Sequence, residues 1–466
     1  MIPLPSPDIL SRIMMGLGCF LLLPVLFCAA TPFRGGRKYL ILALFCVASC
    51  MAPLASSWFG FVLWVELASI ALALLMAFRD PFAARLYLYV QLTAGGILLL
   101  GAAQISTLPL LAPLGEVPKE ILPLFLIGLG IKSAFPLLHF WLPRTYEHAP
   151  LEALLLSSYT ATMGIYGLLR LITEPSRELV CIGVAMALYG AFQALMQSRP
   201  RRILAYSTMS QLGFVVTALA TGTPSGRDAA IFFAVVHVLS KGLLFCSTEA
   251  PPTPFLMRTL FRNFPDYPGG FFFFVLGALT MMGFPGTAGY LAKQGVLTAL
   301  EYPGALWALQ LAGVGTMLYL CKLGYGVFYA PFCPERSPKE TRQSFLPSFS
   351  FSGSMILLGA PLLFLGRSPE SASLLAFTSE ISWSWSALGS SLLLLGGVLG
   401  FFLLVLRRIP NFQRCSFPDV DLLVYRLPPL AEPWLRRLRQ IHSGKLRLSF
   451  TIFAFSLLGI FFLFSL

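Results

Sequence analysis

The sequence predicts an all-α polytopic membrane protein, and three observations carry that prediction. The chain of 466 residues is 57% hydrophobic and only 11% charged, too apolar for the surface of a soluble domain of this size. Apolar runs of roughly 18 residues or more recur along its whole length, the length a helix needs to cross the hydrocarbon of a bilayer. The alternating pattern of outer-membrane strands is missing, which leaves helices to satisfy every backbone group in lipid.

The apolar runs, taken in order, predict about fourteen spans. They cover 9–30, 38–55, 57–78, 84–105, 121–141, 151–172, 178–197, 203–221, 229–248, 268–300 (interrupted), 303–330, 350–367, 384–406 and 448–466. The first run, Ile9–Ala30, has no small-residue cleavage site and reads as a retained helix rather than a signal peptide. Basic residues follow the odd-numbered spans: Arg34, Arg37 and Lys38; Arg79 and Arg85; Arg144; Arg199, Arg201 and Arg202; Arg258 and Arg262; Arg336, Lys339 and Arg342; Arg407 and Arg408. The even connections hold few, such as Lys119, Arg177, Arg227 and Arg367. This asymmetry places the odd connections in the cytoplasm and both termini outside, in a bacterial inner membrane. It also accounts for the net charge of +13 without a nucleic-acid partner. Within the last cytoplasmic stretch, Arg407 to Arg447, the portion Pro433–His442 fits an amphipathic helix at the headgroups, with Trp434 and Leu435 down and Arg436, Arg437 and Arg439 towards phosphates. It fits a plain basic loop equally well.

Several chemistries are excluded. The nine cysteines are scattered, mostly inside apolar runs (Cys19, Cys28, Cys46, Cys50, Cys181, Cys246, Cys321), with no CxxC or Cys/His spacing. They read as small hydrophobic residues, with neither a disulfide framework nor a metal site. There is no GxxxxGK[ST] and no GxGxxG, so no nucleotide or dinucleotide cofactor is expected. The chain is expected to have no cofactor and no catalytic site of its own, so any redox energy must come from partner subunits.

The sharpest functional signal is charge at membrane depth, which costs at least a few kcal/mol and therefore marks functional or paired groups. Glu66, Lys132, Lys241 and Lys293 lie inside predicted spans, and Lys322 lies nearer a predicted cytoplasmic end, where its stem could snorkel. His139 accompanies Lys132, and His237 sits one helical turn before Lys241. Two spans are broken. In IKSAFPLLHFWLP, Pro136 and Pro143 interrupt the hydrogen-bond ladder. MMGFPGTAGY does the same with Gly283, Pro285, Gly286 and Gly289. Irregular backbone at this depth survives only where protein or water satisfies it. Broken helices with a lysine nearby, in the two halves of one chain, point to ion sites of repeat-built transporters. Burial disfavours a charged amine and a neighbouring carboxylate restores it, so a Glu–Lys pair that opens and closes can switch a lysine between holding and releasing a proton.

Five stretches, in order between about residues 58 and 330, resemble one family. FVLWVELASI resembles the FxxWExxSxxSY segment of the antiporter-like subunits of respiratory complex I and of Mrp-type cation/proton antiporters. IKSAFPLLHFWLP is similar to their GKSAQxPxHxWLP, and RRILAYSTMSQLGF to KRxLAYSTxSQLG. AAIFFAVVHVLSKGLLF is similar to AxxHLxxHAxFKALLF, and GFPGTAGYLAKQGVL to GxPPxAGFxSKxxIL. The resemblance implies two five-helix units of inverted topology, each with a broken helix, over 57–172 and 178–330, flanked by 1–56 and 331–466. It implies proton translocation through two half-channels joined by a polar row. In it Glu66 stands as the glutamate partner, Lys132 as the broken-helix lysine, His237 and Lys241 as the pair of the second unit, and Lys293 as the exit lysine. Lys322 matches a basic position that is usually arginine.

The departures are specific. Where the family has ATMVKAGVY this chain has TATMGIYGL, with Thr162 at the lysine position. Glu152, at the start of that helix with Glu147 just before it, is a candidate added acid, and Arg144 replaces the acid of WLPDA. STEAPPTPFLMRTLF, after Lys241, lacks the usual Gly-rich continuation, and only two spans precede the Glu66 helix where full-length relatives usually have four. DVDLLVYR, Asp419 to Arg426, resembles a stretch near the end of Mrp-type D subunits and tilts the assignment that way; complex I, membrane-bound hydrogenases and a bicarbonate-accumulating complex share the same core. The expected function is proton movement within a multi-subunit membrane complex, with other membrane subunits, protons and a cation such as Na+ as partners. The expected path enters near Lys132 gated by Glu66, runs through His139 to Lys241 and His237, and leaves at Lys293. A non-conducting scaffold that anchors a soluble partner is the alternative, and a self-sufficient small-solute carrier ranks below it.

Overall fold

The computed structural model describes residues 8–29, 36–105, 112–248, 268–328, 349–367, 370, 375 and 385–404. Among these the regular secondary structure is helical, with one isolated antiparallel bridge between Ser57 and Pro113. The predicted span 448–466, the basic stretch Arg407 to Arg447 with its amphipathic portion, and DVDLLVYR lie outside the described residues.

The helices run in order as α1 (Ile9–Ala29), α2 (Gly36–Met51), α3 (Trp58–Ala77), α4 (Pro81–Ile105), α5 (Leu122–Lys132), α6 (Trp141–His148), α7 (Leu151–Leu171), α8 (Arg177–Met196), α9 (Pro200–Leu219), α10 (Pro224–Thr248), α11 (Pro268–Met282), α12 (Ala288–Thr298), α13 (Pro303–Phe328), α14 (Phe349–Arg367) and α15 (Trp385–Leu404). Seven described helices are long and apolar enough to cross a membrane, and shorter apolar helices accompany them. The predicted spans 38–55 and 57–78 are separate helices. A 3-10 turn over Ala52–Leu54 ends the first, and Ser57 caps the second by accepting from the Gly60 backbone N–H at 3.2 Å.

Five helices begin at prolines. Pro81, Pro200 and Pro224 start α4, α9 and α10, three to five residues before the apolar runs predict, and Pro268 and Pro303 start α11 and α13 where their runs begin. A first-turn residue needs no backbone N–H, and the fixed φ of proline suits the first helical position. The predicted span 121–141 is corrected. Its helix stops at Lys132, and α6 resumes at Trp141 and runs to His148, with Pro143 in its first turn, where proline is tolerated.

The two breaks share one backbone. After α5, Ala134 and Leu137 are left-handed, with φ of 57° and 69°; after α11, Gly283 and Gly286 are, with φ of 76° and 86°. Phe135 N–H reaches Gly130 O and Ala134 N–H reaches Ile131 O. Phe284 N–H and Gly283 N–H make the matching bonds to Leu279 O and Thr280 O. Both are Schellman endings, followed one residue later by Pro136 and Pro285. The shared tripeptide is Ala-Phe-Pro in one and Gly-Phe-Pro in the other.

α7, α9 and α10 form the centre. α7 packs on α1, α3, α5, α9 and α10, and α10 packs on α7, α9, α11, α12 and α14. Every residue of α9 except Arg202 is buried, and nearly all of α7 and α10 are. α7 thus touches both halves. Polar contacts gather at the two ends of the bundle. At one end Arg79 and Arg201 both donate to Ala149 O, at 3.1 and 2.7 Å, and Glu147 pairs with Arg199 and Arg202. At the other, Arg170 makes a two-pronged bond to Asp8 at 2.6 and 2.7 Å, Thr173 donates to Glu116, and Ser176 N–H donates to Ala220 O at 2.9 Å. The connections after α3, α6 and α8 therefore meet one another, as do those after α4, α7 and α9.

Candidate functional site

Lys132 is the last residue of α5, where a cation complements the exposed carbonyls of a helix C-terminus. Its Nζ donates to Glu66 Oε1 on α3 at 2.6 Å and to Gln91 Oε1 on α4 at 3.4 Å. Lysine and glutamate are 1% and 7% exposed, so both charges are out of contact with bulk water. Removing ions from water costs several kcal/mol each, which close pairing offsets. The second carboxylate oxygen, Oε2, is buried without a hydrogen bond, as is the Ser133 hydroxyl. Gly95 on α4 makes the pair possible: a Cβ there would overlap the Glu66 carboxylate.

The second cluster centres on α10. Lys241 is fully buried, and its Nζ donates to Leu204 O at 2.5 Å and to the Ser207 hydroxyl, both on α9. His237 is 2% exposed, and neither ring nitrogen has a hydrogen-bond partner. Beyond Ser207, Gln211 Nε2 donates to Thr316 Oγ1 at 3.2 Å and to Tyr319 OH at 3.4 Å. Lys293, on α12, is a third and separate station. Its Nζ reaches back to Met282 O at the second break, at 3.2 Å, and sits 5.3 Å over the Phe214 ring.

The structure thus brings Glu66 and Lys132 together and sets His237 beside Lys241. It makes no direct contact from Lys132 to Lys241 or from Lys241 to Lys293. His139 is buried with its ring edge-on to Tyr189 and Tyr206, which turns it towards α8 and α9. Thr162 is wholly buried, and its hydroxyl donates to Ser158 O of its own helix at 2.8 Å. Glu152 is only half-buried. Lys132 Cβ and Ser133 pack at Gly164, and twelve residues of helix, about 18 Å, separate Glu152 from that level. Lys322 is 2% exposed and donates to Leu195 O, near the end of α8, at 2.6 Å, so it is anchored in protein rather than snorkelling. Sequence reasoning missed Gln91, Ser207 and Gln211. Each is a polar residue inside an apolar run, and that is the signal that could have found them.

Fold and buried charges together define a polytopic helical membrane protein built on two broken helices, each with a lysine at the break. The profile of the NADH:quinone oxidoreductase/Mrp antiporter transmembrane family matches residues 55–318, and the chain belongs to that family. It is 30% identical to the NADH-quinone oxidoreductase subunit N of Halorhodospira halophila, over 75% of this chain and 80% of that one. It is 28% identical to the NADH-quinone oxidoreductase subunit 14 of Thermus thermophilus, over 70% and 74%. Its fold is similar to a chain of the Mrp complex from a Dietzia species, with a TM-score of 0.73, 22% identity, and 97% of this chain and 54% of that one covered. It is also similar to a chain of an archaeal membrane-bound sulfane sulfur reductase, with a TM-score of 0.71, 19% identity, and 98% and 88% covered.

Proposed function

We propose that this chain is a proton-translocating, antiporter-like subunit of a multi-subunit complex in a bacterial inner membrane, with both termini outside. The observation that carries the proposal is the buried Glu66–Lys132 pair at 2.6 Å, in a chain that also buries Lys241 and Lys293. The named relatives are subunits of NADH-quinone oxidoreductases, and the fold neighbours include an Mrp complex, so the driving energy comes either from quinone reduction in partner subunits or from a cation gradient. Two units of inverted topology, 57–172 and 178–330, carry one broken helix each.

The chemistry follows from the pairing. While Glu66 holds Lys132, the ammonium keeps its proton, because separating the charges in a medium of low dielectric is costly. When Glu66 withdraws, the pair is broken and the proton moves on from Lys132. Lys241 takes the proton beside Ser207 and Leu204 O. Lys293, held at the second break by Met282 O, passes it out. The grouping of the connections after α3, α6 and α8 at one end supports a common cytoplasmic side.

Proteoliposomes containing the assembled complex test this. Lys132→Ala and Lys293→Ala are each expected to abolish driven proton flux while assembly persists; unchanged flux in both refutes the proposal. One observation favours the alternative of a non-conducting scaffold: the Thr162 hydroxyl is turned onto its own helix and offers no amine between the halves.

A further inference from the structure

Thr162 leaves the two lysines without the amine that would join them, yet the space between them holds a line of hydroxyls. Tyr87 on α4 is fully buried. Its hydroxyl donates to Thr160 Oγ1 on α7 at 3.4 Å, with Ser69, the Glu66 carboxylate and Tyr146 as its other polar neighbours. Thr160 donates to the backbone carbonyl Ser157 O one turn back, at 3.0 Å, and the Ser157 hydroxyl to Leu154 O at 2.8 Å, so each hydroxyl turns from its own helix to reach the next. On the far side of Ser157, Tyr146 of α6 is fully buried. Its hydroxyl faces Ser157 and Thr208 but closes a hydrogen bond to neither. Thr208 on α9 donates to Leu204 O at 3.1 Å, the same carbonyl that accepts from Lys241.

We propose that protons cross from the Glu66–Lys132 pair to Lys241 through the hydroxyls of Tyr87, Thr160, Ser157, Tyr146 and Thr208, around Thr162. The inference rests on the proton-translocating reading above and names the connection within it. A hydroxyl both donates and accepts, so each takes a proton on a lone pair and hands on its own. Lys132 loses one proton, Lys241 gains one, and the hydroxyls end neutral but reversed and turn back before the next transfer. Both tyrosines are held by ring packing that leaves only the hydroxyl to move. Tyr87 lies edge-on to Trp141, with centroids 5.6 Å apart, and Trp141 is pinned by its indole N–H on Ile131 O at 3.0 Å. Tyr146 lies edge-on to Phe245 at 5.6 Å, one turn beyond Lys241. A buried tyrosine whose hydroxyl has no partner is poorly explained by packing alone, since phenylalanine would fill the same space without desolvating a polar group.

The test uses Tyr87→Phe, Tyr146→Phe and the double variant, in proteoliposomes carrying the assembled complex, with proton uptake driven by an imposed sodium gradient or by quinone-dependent turnover. Lys132→Ala and Lys241→Ala are run beside them. Flux in the phenylalanine variants is expected to fall on the order of a hundredfold, the low end for losing a positioned proton-transfer group. Adding Thr162→Lys, which supplies an amine between the halves, is expected to restore it; a purely structural tyrosine would not be rescued from α7. Flux within about twofold of the parent in the double variant, while Lys132→Ala abolishes it, overturns the relay and leaves the proposed function standing. A loss that Thr162→Lys fails to restore also overturns the relay. Full flux in both lysine variants overturns the proposed function and the relay with it.

Discussion

Removing Glu66 separates two ways of reading the Glu66–Lys132 pair. At 2.6 Å and an effective dielectric near 20, two opposite unit charges attract by about 6 kcal/mol. Taking both ions out of water costs several kcal/mol each, so the net worth of the pair against an apolar replacement is close to zero. Removing one partner is another matter. Glu66→Gln leaves the ammonium with the weaker bond to Gln91 at 3.4 Å and an uncompensated charge, a loss of about 3–5 kcal/mol if the lysine stays charged. A destabilisation of about 3 kcal/mol, the low end of that range, is expected. Lys132→Met alone strands the carboxylate and is expected to cost a similar amount. Glu66→Gln with Lys132→Met is expected to cost less than either single change, giving a coupling energy of about 2 kcal/mol or more. Equilibrium unfolding of the purified complex in bicelles, with Glu66 and Lys132 varied as a double-mutant cycle, measures it. Additive single effects would refute the claim that these residues form one desolvated pair.

Four further outcomes are expected. Gly95→Ala drives a methyl into the Glu66 carboxylate and is expected to destabilise by about 1–3 kcal/mol, the range for overpacking, and to slow proton flux as Glu66→Gln does. Gly283→Ala is expected to cost about 1 kcal/mol or more, because its φ of 76° disfavours a Cβ and that atom would lie 2.8 Å from Lys293 Cδ; Ala134→Gly, at the matching position, is expected to be neutral or mildly stabilising in the same unfolding assay. Burial would raise the Asp8 carboxyl, but hydrogen bonds from Arg170 and the Ser11 backbone prevail and hold it at about 2; its stabilisation is present above about pH 4, is lost as pH falls through 2, and amounts to about 1 kcal/mol after discounting for exposure. Asp8→Asn is expected to flatten that part of the stability–pH curve, and an unchanged slope would show that Asp8 titrates normally. Cys19 and Cys50 have sulfurs 3.1 Å apart between α1 and α2, and mild oxidation is expected to link them, read as a two-hydrogen mass loss in the peptide pair; no link would mean α1 and α2 pack differently.

The sequence reveals more about the charges than about what joins them. Glu66, Lys132, Lys241 and Lys293 stood out because a charge inside an apolar run has few explanations. The breaks were legible because proline and glycine act locally. Their kinship was not: Ala134 and Leu137 adopt the left-handed backbone of Gly283 and Gly286, and an alanine and a leucine carry no such signal. Gln91, Ser207 and Gln211 were missed because neutral polar residues in a span are common, and only packing decides whether one meets a lysine. Tyr87 and Tyr146 carry no such mark in the sequence. Their hydroxyls gain meaning from α7 and α9, which are remote in sequence. The helix limits failed at Pro81, Pro200 and Pro224 for the opposite reason, since the start signal, a proline at the first helical position, was present but lay ahead of the limits drawn. Glu152 was an acid on the right helix at the wrong height.

The burial of α7 and α9 has a consequence for biogenesis. Neither is among the helices apolar enough to enter a bilayer by composition, because their serines, threonines and tyrosines face protein rather than lipid. A helix inserts alone only if its own side chains favour hydrocarbon. These two therefore depend on apolar helices that precede them in the chain and pack on them, α1 and α3 for α7 and α8 for α9. The same hydroxyls that make the interior polar make its central helices dependent on their neighbours for topology. A substitution on the surface of α8 can then act far from any proton, by leaving α9 on the wrong side of the membrane.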